Sequence, residues 1–146
     1  MHFSPSKPTG SSVEIDSLAY PDGFHIRGAE GWLGLGNLDE ANRELERIAP
    51  AHRTHPEVLL MRWQLQVAAQ KWDECLAIGL TLTERFPDNP CGWIALAQTL
   101  YFTKRIAEAY EVGVAKAEEF PESAQLLYDT ACYACLLGKR KEAEHR

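Results

Sequence analysis

The sequence predicts an all-α fold, an α-solenoid of antiparallel helix pairs with seven main helices and a short C-terminal stub, on three observations. A shift of 34 residues lays Glu40-Ala41 on Glu74-Cys75, then on Glu108-Ala109, then on Glu142-Ala143, without an insertion. The same shift lays Pro56 on Pro90, Phe86-Pro87 on Phe120-Pro121 and Ala97 on Ala131, so punctuation and small residues recur together. Finally, residues 90–121 read as one complete helix–turn–helix unit. A fixed period of about 20 to 50 residues marks stacked units that bury their apolar faces only against neighbours.

Residues 1–21 read as a flexible tail, rich in Ser, Pro and Gly and without a sustained period, and residues 22–146 as the repeat domain. Within the tail, residues 13–20 alternate weakly and suit a short strand-like or helical segment lying on the first unit. Units are expected at 22–55, 56–89, 90–123 and an incomplete 124–146. Pro21-Asp22 begins the first helix, with Asp22 able to cap it. Gly28, Gly31 and Gly34 make this the least stable helix, since each costs up to about 1 kcal/mol relative to Ala. Gly34-Leu35-Gly36 bears a superficial likeness to a phosphate loop, but no strand precedes it and Gly36 serves better as a helix C-cap.

Asp39 is the expected cap of a second helix to about Ala49, with Ala41, Leu45 and Ile48 on its inner face. His52 and His55 read as linker residues before Pro56, whose fixed φ suits the first turn of a third helix to about Ala69. Lys71-Trp72-Asp73 is the next turn, with Asp73 capping a fourth helix to about Phe86. Asn89 before Pro90 is a cap followed by a first-turn proline, opening a fifth helix to about Phe102. A sixth runs from Ile106 to about Phe120, Ser123 caps a seventh, and Gly138 ends that one at Leu137. The remaining residues begin an eighth helix that stops within two turns, so this end reads as a fragment boundary or as a surface that something else covers.

At 146 residues, 45% hydrophobic and 25% charged, the chain has the composition of one globular domain. Its net charge of −6 argues against a nucleic-acid partner, because phosphate affinity comes from clustered Lys and Arg. The one basic run, Lys139-Arg140-Lys141, reads as helix-end solvation. No apolar stretch reaches signal-peptide or membrane-span length, so no membrane association and a cytoplasmic location are expected. Four cysteines do not make a disulfide scaffold: Cys75 takes the place of Ala41 and Ala109 as a small buried residue, and Cys91 follows Pro90 into a helix. Cys132 and Cys135 form a Cys-x-x-Cys inside a helical pattern with no second ligand pair, which favours packing and groove lining over metal or redox chemistry. Enzyme chemistry needs a nucleophile with a base or convergent acids, and five scattered histidines supply neither, so neither catalysis nor a cofactor is expected.

In the third unit Trp93, Leu96-Ala97, Leu100, Ala109 and Pro121 stand at spacings that resemble the tetratricopeptide repeat family, with Ala97 for Gly, Leu100 for Tyr and Gly113 for Phe. The fourth unit contributes Leu127, Ala131 and Ala134; the first contributes Ala29, Trp32, Ala41 and Leu45 but has His25 at the first aromatic position. The second departs most, because Trp63 occupies the small-residue position where the paired helices cross. The resemblance covers about residues 22–146 and implies a right-handed solenoid of about three and a half repeats, whose first helices line a concave groove for a peptide or helix.

That register places Ile26 and Glu30 on the groove from the first helix, with Leu60, Gln64 and Val67 from the third. The fifth adds Ile94, Gln98, Tyr101 and Phe102, and the seventh Tyr128, Cys132 and Cys135. Gln64 and Gln98 would be free to bond a partner's backbone amides. The chaperone-binding branch of the family holds a terminal carboxylate with Lys, Asn and Arg on these faces, and none stands at these positions, so such a clamp is not expected. Two functions remain open: a non-catalytic protein-interaction module that binds a peptide or amphipathic helix as a scaffold or adaptor, and a self-associating unit, a homodimer, whose incomplete last repeat packs on another copy. The register itself is testable. Ala109→Leu should overpack the helix crossing and lower stability by about 1–3 kcal/mol in chemical denaturation, and an unaltered midpoint would reject the register.

Overall fold

Caps and prolines place the helices. In the computed structural model, which describes residues 18, 19 and 21–144, Asn89 Oδ1 accepts from Cys91 N–H at 2.9 Å and Pro90 takes the first position of its helix. His55 Nδ1 does the same for Glu57 N–H at 3.1 Å ahead of Pro56. The described residues form seven α-helices and no strand: α1 Asp22–Gly34, α2 Leu38–Glu46, α3 Pro56–Ala68, α4 Trp72–Arg85, α5 Pro90–Phe102, α6 Ile106–Glu119 and α7 Ala124–Glu144. A 3₁₀ turn, Pro50–His52, links α2 to α3. The odd helices start at residues 22, 56, 90 and 124 and the even ones at 38, 72 and 106, so the 34-residue spacing holds for every start. None of these helices is long and apolar enough to cross a membrane.

Each helix packs on the next, and the odd helices also pack in series, α1 on α3, α3 on α5 and α5 on α7. Three apolar clusters follow. Ile26, Ala29, Ala41, Leu45 and Met61 join α1, α2 and α3; Trp63, Cys75, Leu82 and Ala95 join α3, α4 and α5; Leu96, Ala97, Leu100, Ala109 and Tyr133 join α5, α6 and α7. Ala41, Cys75 and Ala109, one period apart, are all fully buried, and burial raises the Cys75 thiol pKa.

Several local expectations are corrected. Asn37, not Asp39, caps α2, its Oδ1 accepting from Glu40 N–H at 3.1 Å; α2 starts one residue earlier than expected, which moves Asp39 into the first turn. That helix also stops at Glu46, although Ile48 beyond it is still buried. Asp73 likewise falls in the first turn of α4, which begins at Trp72 with no side-chain cap. Asp22 does not cap α1: its buried carboxylate accepts from Ala49 N–H at 3.3 Å and pairs with His52, tying the start of α1 to the α2–α3 linker. His52 beside it holds the Asp22 carboxyl below its ordinary pKa. His25, at the position expected to be aromatic, instead meets Glu44 Oε2 at 2.9 Å across α1 and α2.

Gly138 does not end α7, and the separate C-terminal stub is absent. Gly138 does not take the positive φ of a C-terminal glycine such as Gly36, and the helix continues to Glu144. The caps that hold are Gly36, just past the end of α1 at φ +79°, and the N-cap Ser123, whose Oγ accepts from Leu126 N–H at 3.3 Å at the start of α7. The expected flexibility of the tail concerns residues that lie, apart from Leu18, Ala19 and Pro21, outside the described residues. Leu18 packs on the first cluster and its N–H donates to Glu57 Oε1 at 3.2 Å.

Trp63 fits its small-residue position because its ring turns into the α5 contact, where Nε1 donates to Thr99 Oγ1 at 2.9 Å. Close approach is concentrated at glycines. A Cβ on Gly79 of α4 would lie 3.2 Å from Leu96 Cα, and one on Gly113 of α6 would lie 3.1 Å from Thr130 Cβ, so the same contact recurs one period later. Gly92 of α5 faces the backbone of Leu82 and Thr83 so closely that a Cβ would sit 3.0 Å from the Leu82 carbonyl carbon. Gly31, by contrast, has nothing within 4 Å. The same substitution should therefore have opposite signs at two helical sites. Gly31→Ala should stabilise by up to about 1 kcal/mol through helix propensity, whereas Gly92→Ala should destabilise by about 1–3 kcal/mol through an overpacked backbone contact; thermal denaturation of the two variants checks both.

Candidate functional site

The densest cluster of exposed aromatic residues lies where α4 begins, α5 ends and α7 crosses. Antiparallel packing of α4 and α5 sets the first residue of one beside the last of the other, and Trp72 stacks on Phe102 at 5.3 Å between ring centroids. Tyr101 is 5.5 Å from Phe102 and 5.7 Å from Tyr133 of α7, so four rings run in series across three helices. Aromatic pairs at such separations contribute beyond their buried area. Tyr101 and Phe102 nonetheless leave 38% and 37% of their surface exposed, and Tyr128 leaves 68%.

Two adjoining cavities open on this face. One, of about 290 Å³, lies between the end of α5 and the middle of α7 and is lined by Gln98, Tyr101, Phe102, Asp129, Cys132, Tyr133 and Leu136. The other, of about 330 Å³, runs along α7 past Tyr128, Ala131, Cys132, Cys135 and Leu136. Cys132 and Leu136 belong to both, which makes them one continuous surface. Cys132, one helical turn from Tyr128, raises the phenol's pKa. Cys132 and Cys135 are free thiols, and no group of three or more His, Cys, Asp or Glu among the described residues could hold a metal ion. Cys91, partly buried on the α3–α5 cluster, has its thiol pushed up to about 11 by burial, which keeps it protonated and unreactive at neutral pH.

Polar order in the first cavity centres on Asp129. Gln98 Nε2 donates to its Oδ2 at 2.8 Å, and Gln125 Nε2 to its Oδ1 at 2.8 Å. Gln98 is therefore committed to Asp129 rather than free for a partner's backbone. Tyr133 is 3% exposed, and its hydroxyl is enclosed with no hydrogen-bonding group in reach. Burial drives its pKa up, with Asp129, Cys132 and Tyr101 adding to the shift, so the phenol stays neutral.

Of the groove residues expected from the register, Gln98, Tyr101, Phe102 and Cys132 meet in the first cavity, and Tyr128, Cys132 and Cys135 in the second. Ile26 is corrected from groove to core, at 6% exposure among Ala29, Ala41 and Met61, because α1 turns this side toward α2 and α3. Leu60 and Val67 are half-buried against the Trp63 cluster, Ile94 is half-buried, and Glu30 and Gln64 are exposed; none of these lines either cavity. Trp72, Asp129, Tyr133 and Leu136 join the site without having been expected there. Trp72 carried a periodic signal, standing one period from Leu38 and Ile106 at the starts of α2 and α6, whereas Asp129 stands one period from Ala95 and carried none.

An enclosed hydroxyl without a partner lowers stability. Tyr133→Phe should raise it by about 1–3 kcal/mol in denaturant titration, and a loss of stability would mean the hydroxyl is bonded in the free protein. Comparison of the chain with family models, with curated proteins and with solved structures finds no match.

Proposed function

We propose that the chain is a right-handed α-solenoid of about three and a half tetratricopeptide-like repeats, acting as a non-catalytic interaction module of the cytoplasm. Helix starts that recur every 34 residues support the repeat reading, as do odd helices that pack in series and the paired contacts Gly79–Leu96 and Gly113–Thr130. Stacked units of this kind present an extended face to a peptide or a helix. The module holds its partner at the junction of α5 and α7, and the observation that carries this reading is the continuous surface of two cavities beside exposed Tyr101, Phe102 and Tyr128. Rigid aromatic side chains beside such cavities are what binding hot spots are built from. An apolar or amphipathic segment suits it, and the role is that of a scaffold or adaptor.

A second reading has one observation in its favour. Trp93, Ala97 and Leu100 of α5 lie against α6, while Leu127, Ala131 and Ala134, one period later on α7, are exposed. A second copy packing on that stripe would make the chain a self-associating unit. Light scattering separates the two, since self-association predicts a dimer and a monomer at high micromolar concentration removes it.

The interaction reading predicts that Tyr101→Ala combined with Tyr128→Ala abolishes binding of peptides selected on the unaltered chain. Tyr128 is largely exposed but Tyr101 packs on Phe102 and Tyr133, so a modest fall in melting temperature is expected and binding is measured below it; retained binding by a folded double variant would reject the site.

A further inference from the structure

We propose that the cavity between α5 and α7 takes one Lys or Arg side chain of the bound segment, with Asp129 as its counter-ion and the rings of Tyr101, Phe102 and Tyr133 as its wall. The inference rests on the groove reading above and adds to it the chemistry of the residue the groove selects.

Asp129 supplies the charge. Its two carboxylate oxygens accept from the neutral amides of Gln98 and Gln125, and among the described residues no Lys, Arg or His forms an ion pair with it. Amide dipoles orient a carboxylate without cancelling its charge, so a half-buried negative potential remains at the cavity wall. Both amides already occupy their places, which means the carboxylate is positioned before a ligand arrives.

The aromatic rings act in the same direction. Each ring face carries negative quadrupolar charge, and a cation within about 6 Å of a centroid is attracted to it. Tyr101 lies 5.7 Å from Tyr133 and 5.5 Å from Phe102, and all three rings line this cavity together with the carboxylate. Tyr133 is 3% exposed and lines this cavity, and its enclosed hydroxyl lies out of a ligand's reach. Leu136 and the Phe102 edge offer apolar surface for the methylene stem of the same residue.

The chain uses this chemistry internally elsewhere. Lys116 Nζ sits 3.9 Å from the Trp93 ring centroid while also pairing with Glu119 Oε1 at 3.1 Å. The α5–α7 cavity has the aromatic and acidic parts of that arrangement, and among the described residues no cation lines it. A net charge of −6 further favours encounter with a basic segment over an acidic one.

The test pans a displayed library of random short peptides against the intact chain and against Asp129→Asn, with folding of the variant verified by its melting curve. Selected peptides are then measured by titration calorimetry. Peptides selected on the intact chain should carry a Lys or Arg among apolar residues. Exchanging that residue for norleucine or citrulline, or introducing Asp129→Asn, should each weaken binding about tenfold or more, and the two changes together should cost little more than either alone. Selected peptides without a basic residue, yet sensitive to Tyr101→Ala with Tyr128→Ala, overturn the cation pocket and leave the groove reading intact; no selected peptide at all removes both. If Asp129→Asn does not fold, the norleucine and citrulline exchanges on the intact chain decide, and equal affinity overturns the proposal.

Discussion

Close backbone approach between successive helices is the constraint on which the rest of the structure depends. Gly79 lets α4 meet the backbone of α5 at Leu96, Gly92 lets α5 meet the backbone of α4 at Leu82 and Thr83, and Gly113 makes room on α6 for the Thr130 side chain of α7. Helix-interior glycine costs about 1 kcal/mol in propensity, and packing at these two crossings, α4 on α5 and α6 on α7, offsets it. The approach also sets how the helix ends meet. With α4 held tight on α5, Trp72 reaches Phe102; with α7 held on α6 and α5, Tyr133 enters the cluster of Leu96, Ala97, Leu100 and Ala109 and comes alongside Tyr101. The aromatic series at the candidate site is thus a consequence of small residues buried some distance from it.

A second consequence concerns polar groups. The tryptophan at position 63 enters a crossing that its counterparts fill with Ala29 and Ala97, and the core accommodates it by supplying Thr99 as an acceptor for the indole N–H. Thr99 Oγ1 in turn donates to Ala95 O at 2.8 Å, so the buried pair is closed on the helix backbone. Tyr133, one period beyond Thr99, carries a hydroxyl into a comparable setting and meets no such acceptor. Thr99 is short enough to donate to its own helix backbone while accepting from the facing indole, whereas the Tyr133 hydroxyl stands a ring's length from the α7 backbone and depends on what the facing helices present.

Electrostatics follows the same division. The buried Asp22 carboxylate and the exposed His52 fasten the start of α1 to a linker, and His25 with Glu44 fastens α1 to α2. These contacts serve the fold. At the other end, Asp129 is held by amides alone, half-buried and beside aromatic faces, an arrangement that costs desolvation without the return of an ion pair.

Legibility in the sequence tracks how local the governing physics is. The spacing of Ala41, Cys75 and Ala109, the prolines at 56 and 90 and the asparagine before Pro90 determined seven helices, their order and most of their starts, because helix period, fixed proline φ and capping act within a few residues. The cap at Asn37 and the uninterrupted run through Gly138 show the limit, since neighbouring residues offered equally good local alternatives there. For the site, Tyr101, Phe102, Tyr128 and Cys132 were visible as a helical stripe on the sequence. Only the tertiary structure put Ile26 in the core, committed Gln98 to Asp129 and brought Trp72 and Tyr133 to Tyr101 and Phe102, because those choices depend on how closely and at what angle helices cross. Crossing distance is set by pairs of residues such as Gly79 with Leu96, far apart in the chain, and no single segment encodes it.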